Sequence, residues 1–265
     1  MRFSTGVTAL SLALSSMLLA QAGNTADAAK FAFEVASIRQ NVDGGGHVHI
    51  YNDRHNGEFR TVNAPLKMIL VYAYELPRTQ MVGGPAWVDS TTFNIDAKAE
   101  AAVSDALAKM QGADANAAKQ GMVRKLLAER FGLVVHRETR EMPVFDLVVA
   151  KDGPRFAKSD VQGTTINEGN DHIDAIGSDD TLAMLCESLG RRTGRVVLNK
   201  TGMNGRYKLS LKWTPDDMAA AGKTGPDAPP DLFTAIQEQL GLKLESAKGQ
   251  VPVLVIDKVT MPTGN

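Results

Sequence analysis

The chain has 265 residues, of which 43% are hydrophobic and 22% charged, a composition typical of a folded globular protein. Its formal net charge of -1 gives no electrostatic reason to expect nucleic acid as a partner. The single cysteine excludes an internal disulfide framework, a four-cysteine zinc site and an iron–sulfur cluster. At this length we expect one or two domains.

Residues 1–28 have the layout of a secretory signal peptide. Arg2 supplies a basic start, and residues 6–20 (GVTALSLALSSMLLA) carry no charge. Cleavage-like A-x-A patterns follow at 20–22 and 26–28. The apolar run is shorter than the roughly 20 residues that span a bilayer, which disfavours the alternative of a retained membrane anchor. We therefore expect an exported chain, periplasmic or extracellular, with no membrane span after cleavage.

The rest of the chain repeats one order of elements, beginning with an amphipathic helix. Apolar residues recur at the i, i+3, i+4, i+7 spacing of a helix packed on one side. They are Leu66, Ile69, Leu70 and Ala73 in the first copy, and Leu182, Leu185, Cys186 and Leu189 in the second. Asn63 and Pro65 precede the first helix, and residues 178–180 (SDD) precede the second, as expected for a first helical turn.

A glycine-containing loop and an alternating strand follow each helix, at 83–85 and 202–205 for the loops. One face of the strand is apolar, which predicts a sheet with one buried face. The apolar positions are Phe93, Ile95 and Ala97, and then Tyr207, Leu209, Leu211 and Trp213. A second helix ends at Gly132 or Gly241, where a helix C-terminus favours a left-handed residue. Two short strands close each copy, at 133–137 and 143–150, then at 242–245 and 252–259.

These patterns predict an α+β fold made of two tandem copies of a small module of one sheet and two helices. The first copy covers 30–152 with an N-terminal strand at 33–38, and the second covers 172–262. A linker at 153–171 joins them, and the second copy holds a flexible insertion at 216–230. The alanine-rich stretch 100–119 is expected to be a weak helix or a loop.

Several longer motifs stand out, at 83–87 (GGPAW), 93–99 (FNIDAKA), 127–131 (LAERF), 136–141 (HRETRE), 213–215 (WTP) and 232–242 (LFTAIQEQLGL). Together they resemble an uncharacterised, soil-associated secreted bacterial family, a domain of unknown function that is also found fused to BlaR-type membrane metallopeptidases. Gln40 and Asn199 depart from the family pattern, in which proline and aspartate are expected. The resemblance implies no activity and supplies no catalytic residues.

In each copy, a turn that contains Gly-Leu leads from the second helix into the final strands, at 126–133 and 240–242. In this turn each copy is similar, more weakly, to the short N-terminal module of secretins and TonB-dependent receptors. Modules of that type dock to other proteins in the periplasm, so the resemblance implies a role in protein contacts rather than in chemistry.

His47, His49 and His55 are the candidate metal ligands. An H-x-H pair in an extended segment places both rings on one face, and His55 could reach them around a turn. The alternative for these residues is a solvated, glycine-rich loop. His136 lies in a charged run, which favours a solvated strand face.

Other motifs give no chemistry. The K-T-G boxes at 200–202 and 223–225 lack the S-x-x-K nucleophile motif that serine penicillin-binding enzymes require. Cys186 lies on an apolar helix stripe, and Trp87 and Trp213 adjoin the sheets, so core packing is expected for all three. Arg191, Arg192 and Arg195 are expected to form a solvated helix end.

We therefore predict a non-catalytic protein-interaction module with no cofactor and with a protein partner in the cell envelope or outside the cell. Two small sheets leave exposed edges, which can accept a partner strand. The alternatives are a secreted protein that binds a small ligand or a metal through the three histidines, and a secreted hydrolase.

Overall fold

The computed structural model describes residues 31–42, 46–163, 165–177, 180–222, 225 and 228–262. The predicted signal peptide lies outside these residues, as do residues 43–45 of the glycine-rich loop beside His47 and most of the second K-T-G box. None of the described helices combines the length and the hydropathy that a membrane crossing requires.

The described chain is an α+β structure with three four-stranded sheets. Its strands are β1 Val35–Gln40, β2 His49–Tyr51, β3 Glu58–Pro65, β4 Met81–Gly83, β5 Thr92–Lys98, β6 Val134–Val149, β7 Ala157–Lys158, β8 Thr165–Glu168, β9 His172–Ile176, β10 Val196–Asn199, β11 Tyr207–Lys212 and β12 Leu242–Lys258. Its helices are α1 Leu66–Tyr74, α2 Trp87–Ser90, α3 Ala101–Lys109, α4 Gly112–Phe131, α5 Thr181–Thr193, α6 Asp216–Ala220 and α7 Leu232–Leu240, with a 3-10 turn at Arg78–Gln80.

The chain divides into two compact units, which do not follow the predicted repeat boundary. Unit 1 contains the described chain up to Glu75, Pro85–Val134 and the residues from Lys258 onward. Unit 2 contains Leu76–Gly84 and Val135–Asp257. The chain therefore passes between the units after Glu75, Gly84, Val134 and Asp257, and the predicted linker at 153–171 lies inside unit 2.

Unit 1 is built on an antiparallel sheet in the order β1-β5-β3-β2. The four predicted stripe residues of α1 are buried, and so are the predicted inward residues of β5. Phe131, near the end of α4, packs edge-on against Phe93 with ring centroids 5.1 Å apart. The period of the apolar residues thus identified both the helix and the strand.

One prediction in unit 1 holds in part and another needs correction. The stretch 100–119 takes the helical alternative, because α3 and the first part of α4 occupy it. Asn63 does not open α1, because the residue before the helix is Pro65. Asn63 instead lies at a register shift in β3 with a left-handed φ of 53°, and its backbone N–H donates to the Asn94 side chain at 2.8 Å. Asparagine tolerates this conformation better than most residues.

Unit 2 contains a second sheet in the order β10-β6-β12-β4 and a third sheet in the order β7-β11-β9-β8. The stripe residues of α5 and α7 are buried against β11, as the sequence predicts. Asp180 caps α5 and Asp231 caps α7 through their side chains.

The two closing strands predicted in each copy are in fact one long strand each, β6 and β12. His136 near the start of β6 meets Asp257 near the end of β12, and the Ala150 N–H donates to the Gly241 carbonyl at their other ends. The strands therefore run antiparallel along their whole length. Proline removes one donor, but its fixed φ remains compatible with extended backbone, so neither Pro143 nor Pro252 ends its strand.

The first and third sheets have the same strand order. Position by position, the order β1-β5-β3-β2 corresponds to the order β7-β11-β9-β8. In each sheet the two central strands are the ones that precede and follow the first helix of the copy, which is α1 in the first sheet and α5 in the third. The predicted linker at 153–171 is thus more than a connection, because it contributes β7 and β8. These strands are short, exposed and without alternation, so no sequence period indicates them.

Candidate functional site

A groove in unit 2 gathers aromatic and arginine side chains in one concave surface. Its volume is about 630 Å³, within the range of ligand-binding clefts. Phe145, Trp213 and Phe233 supply the aromatic surface. Arg191, Arg192 and Arg195 supply the basic wall, and we call the whole the arginine groove.

The aromatic surface has a buried part and an open part. Trp213 is 4% exposed and belongs to the core of unit 2, as predicted, whereas Phe233 is 47% exposed. The Asp231 side chain accepts from the backbone N–H groups of Phe233 and Thr234, which fixes Phe233 in the first turn of α7. Its ring stands edge-on to Phe145 with centroids 5.6 Å apart. Phe233 is therefore an apolar side chain that is held in place and exposed to solvent.

Arg191 and Arg192 lie in the last turn of α5, where the helix dipole favours cations, and Arg195 follows directly after the helix. The Arg192 guanidinium lies 5.1 Å from the Trp213 ring centroid and donates to the Ser188 and Gly169 carbonyls. Arg195 lies 5.1 Å from the Phe145 ring centroid. The prediction of a solvated helix end placed these residues correctly along the chain, but it missed that they form a wall of the groove.

Glu168 ties two arginines of the wall together. Its carboxylate accepts from the Ser188 hydroxyl and from Arg191 Nη2 at 2.7 Å, and it lies 3.5 Å from Arg192 Nη1. Burial raises the pKa of Glu168, but the hydrogen bond from Ser188 and the charges of the two arginines outweigh it, so the pKa is lowered overall. An ionised carboxylate with a lowered pKa is a weak base, so this cluster suits recognition better than proton transfer.

Acidic residues form another part of the lining. Hydrogen bonds from Thr234, and then from backbone N–H groups at the start of α7, lower the pKa of Asp231. Asp216 and Asp217 lie in the first turn of α6, where the helix dipole favours negative charge. The groove therefore presents charges of both signs around its aromatic surface.

The three candidate metal ligands lie in unit 1, away from this groove along the chain. The His47 and His49 rings are neighbours, with centroids 6.3 Å apart, and His49 also stacks on Tyr51 at 5.7 Å. His55 Nε2 instead accepts from Arg54 Nε at 3.2 Å. Within the described ranges, no three His, Cys, Asp or Glu side chains are grouped so that they could hold a metal ion.

Cys186 and Trp87 take structural positions. Cys186 is buried in the core of unit 2, and burial raises the pKa of its thiol to about 12, which keeps it protonated and unreactive at neutral pH. Trp87 is half-buried and packs edge-on against Phe93 at 6.2 Å.

His136 occupies the exposed strand face that its charged run predicts. Its Nδ1 lies 2.8 Å from Asp257 Oδ2, and its Nε2 lies 3.4 Å from Glu138 Oε2. The hydrogen bond with Asp257, and then that with Glu138, raise the pKa of His136 above 6.5. The folded chain thus favours the protonated ring, and the resulting contribution to stability is present at low pH and is lost as the pH rises through the raised pKa.

We expect an NMR titration to place the His136 pKa above that of a model histidine, and the variant Asp257→Asn to lower it again. Glu141 lies on the same strand as His136 and pairs with Lys248 instead. The variant Glu141→Gln is therefore the control, since it should leave the titration of His136 unchanged. A pKa of His136 in the wild type equal to that of a model histidine would contradict this hydrogen-bonding arrangement.

The arginine groove lies inside the part of the chain that a known family shares. The family described as "Protein of unknown function (DUF3738)" matches residues 67–259, whereas the three candidate histidines lie before the match. A search of curated proteins and a search of solved structures gave no match. Because the match covers 193 of the 265 residues, the chain belongs to the DUF3738 family.

Proposed function

We propose that this chain is an exported, non-catalytic docking module that binds an extended segment of another protein along strand β8. The observation that carries the proposal is the open outer edge of this strand. β8 is the last strand of the third sheet, and all four of its residues are exposed. An exposed edge can accept a partner strand through main-chain hydrogen bonds.

The hydrogen-bond pattern shows which backbone groups of β8 are open. The Gly169 N–H donates to the His172 carbonyl, which continues the ladder between β8 and β9. Because pairs alternate in an antiparallel ladder, Thr165 and Asn167 direct their backbone groups toward β9. Ile166 and Glu168 therefore direct theirs outward, where no described residue bonds to them.

Three other features support docking. Two carboxylates of the arginine groove, Glu168 and Asp231, have lowered pKa values and are therefore weak bases, which favours recognition over proton transfer by these two groups. The N-terminal pattern favours export, so the partner would be a protein of the envelope or of the outside. The shared strand order of the first and third sheets supports two tandem copies similar to the periplasmic docking module of secretins and TonB-dependent receptors.

The variant Ile166→Pro tests the proposal, because it removes an outward N–H without removing a donor to β9. Ile166→Val keeps the N–H and is the matched control. Proteins of the organism's envelope fraction and culture medium are captured on wild type and on both variants, after thermal unfolding has shown that all three fold alike. We expect a partner that Ile166→Val retains and Ile166→Pro loses, and whose binding slows hydrogen exchange at the Ile166 and Glu168 amides.

A partner captured equally by Ile166→Pro and wild type, with no protection of those two amides, would overturn docking along β8. If the wild type captured no protein beyond those that a scrambled control surface also captures, docking would be overturned altogether.

A further inference from the structure

We infer that the segment bound along β8 carries an acidic side chain next to a bulky apolar one, with the acid held by Arg195 and the apolar group packed on Phe233. This inference rests on the proposed docking function and specifies its partner. It follows from the charges of the groove, from the exposed aromatic surface and from the continuity between the strand edge and the groove.

Arg195 is the cation of the wall that remains available. Arg191 is engaged by Glu168 and Glu187, and Arg192 by Glu168 and two backbone carbonyls. Arg195 is exposed and contacts the Phe145 ring, and within the described residues it has no carboxylate partner. A guanidinium fixed on an aromatic face retains its planar fork of donors, which matches the two oxygens of a carboxylate.

Phe233 supplies the apolar contact. About half of its surface is exposed, although Phe145 contacts its ring and α7 fixes its backbone. Aromatic side chains, including phenylalanine, and arginine are both enriched at protein interfaces. A bulky apolar side chain of the partner would bury Phe233 at small entropic cost to the chain, because the ring is already positioned.

Glu168 connects the open edge to the groove. It is the last residue of β8, its backbone groups point outward, and its side chain lines the groove together with Arg195 and Phe233. A strand that pairs with β8 and extends past Glu168 therefore delivers its next side chains into the groove. The side chain of Glu168 is held by Ser188 and Arg191, so it does not compete for Arg195.

Asp216 and Asp217 restrict how the segment can lie. Both line the same groove, and within the described residues neither has a basic partner. They would repel an acidic side chain, which favours its placement on Arg195, and they would attract a lysine or arginine elsewhere in the segment.

Selection from a random linear peptide library tests the inference. The wild-type chain, Arg195→Glu and Phe233→Ala each serve as bait, and Lys208→Glu is the control, a charge reversal at an exposed lysine outside the groove. We expect wild type and Lys208→Glu to enrich peptides in which Asp or Glu adjoins Phe, Tyr or Leu. Arg195→Glu should lose the acidic preference, and Phe233→Ala the aromatic one.

Affinities of the selected peptides complete the test. A wild-type-selected peptide should bind Arg195→Glu about tenfold more weakly, equivalent to about 1.4 kcal/mol, and Lys208→Glu as strongly as wild type. Matching thermal unfolding midpoints would show that the variants fold. The same peptide should also bind Ile166→Pro more weakly, because its main chain pairs with β8.

The possible failures separate the two proposals. Peptides that depend on Ile166 but show no acidic preference, or keep it in Arg195→Glu, would overturn the present inference and leave docking along β8 intact. Peptides that depend on Arg195 but not on Ile166 would overturn docking along β8, and with it the delivery of the acid by a paired strand. The absence of any binder to wild type would overturn both.

Discussion

Replacing Gly241 with alanine should destabilise unit 2 by about 3 kcal/mol or more, whereas Gly132→Ala should destabilise unit 1 by only about 1–2 kcal/mol. Both glycines end a helix in the left-handed region, with φ of 63° and 56°. A Cβ at Gly132 would approach only the Thr260 hydroxyl, at 3.2 Å, and that side chain can move. A Cβ at Gly241 would overlap the Gly153 carbonyl, which is backbone and cannot yield cheaply.

Denaturant unfolding measures the loss of unfolding free energy in each alanine variant. Hydrogen exchange then shows which unit has been destabilised. Asparagine tolerates the left-handed region, so Gly132→Asn should be close to wild type while Gly241→Asn remains strongly destabilised. Equal costs for the two alanine variants would show that the close approach of Gly153 does not constrain the helix end.

The stability of the wild type relative to Lys119→Met should rise by about 2 kcal/mol between about pH 7 and pH 9.5. Lys119 is 0% exposed, and its Nζ donates to the Asn56 carbonyl at 2.7 Å and to the Glu58 carbonyl. Burial lowers the pKa of Lys119 to about 8, although the charges of Asp53 and Glu58 oppose the shift. The unfolded chain therefore binds more protons than the folded chain between about pH 8 and 10.5, and stability rises with pH in that window.

Urea unfolding of both proteins across this pH range gives the difference, in which the titration of every other group cancels. Lys125→Met, on an exposed lysine of the same helix, is the matched control and should keep the wild-type pH profile. A difference between wild type and Lys119→Met that stays flat, or that falls with pH, would show that Lys119 remains fully protonated in the folded chain.

The arginine groove and the buried Lys119 show why some features of the molecule could not be predicted from the sequence. Arg195 and Phe233 are separated by almost forty residues, and no spacing rule relates them. The signals present in the chain were the WTP motif at 213–215 and the LFT start of the motif at 232–242, both of which border the groove. Lys119 lies in an alanine-rich stretch without a clear apolar stripe, so nothing local indicates that its side chain is buried.

The residue pattern by itself determined the α+β class, the apolar faces of α1, α5 and α7, the buried faces of β5 and β11, and the left-handed glycines that end α4 and α7. These features depend on neighbours within a turn or two of the same element, so a local period records them. Only the tertiary structure decided the second sheet, the strands β7 and β8, the burial of Lys119 and the convergence of Arg195 with Phe233. Each of those depends on a contact between segments far apart in the chain, whose free energy is realised only when the other side of the contact is already in place.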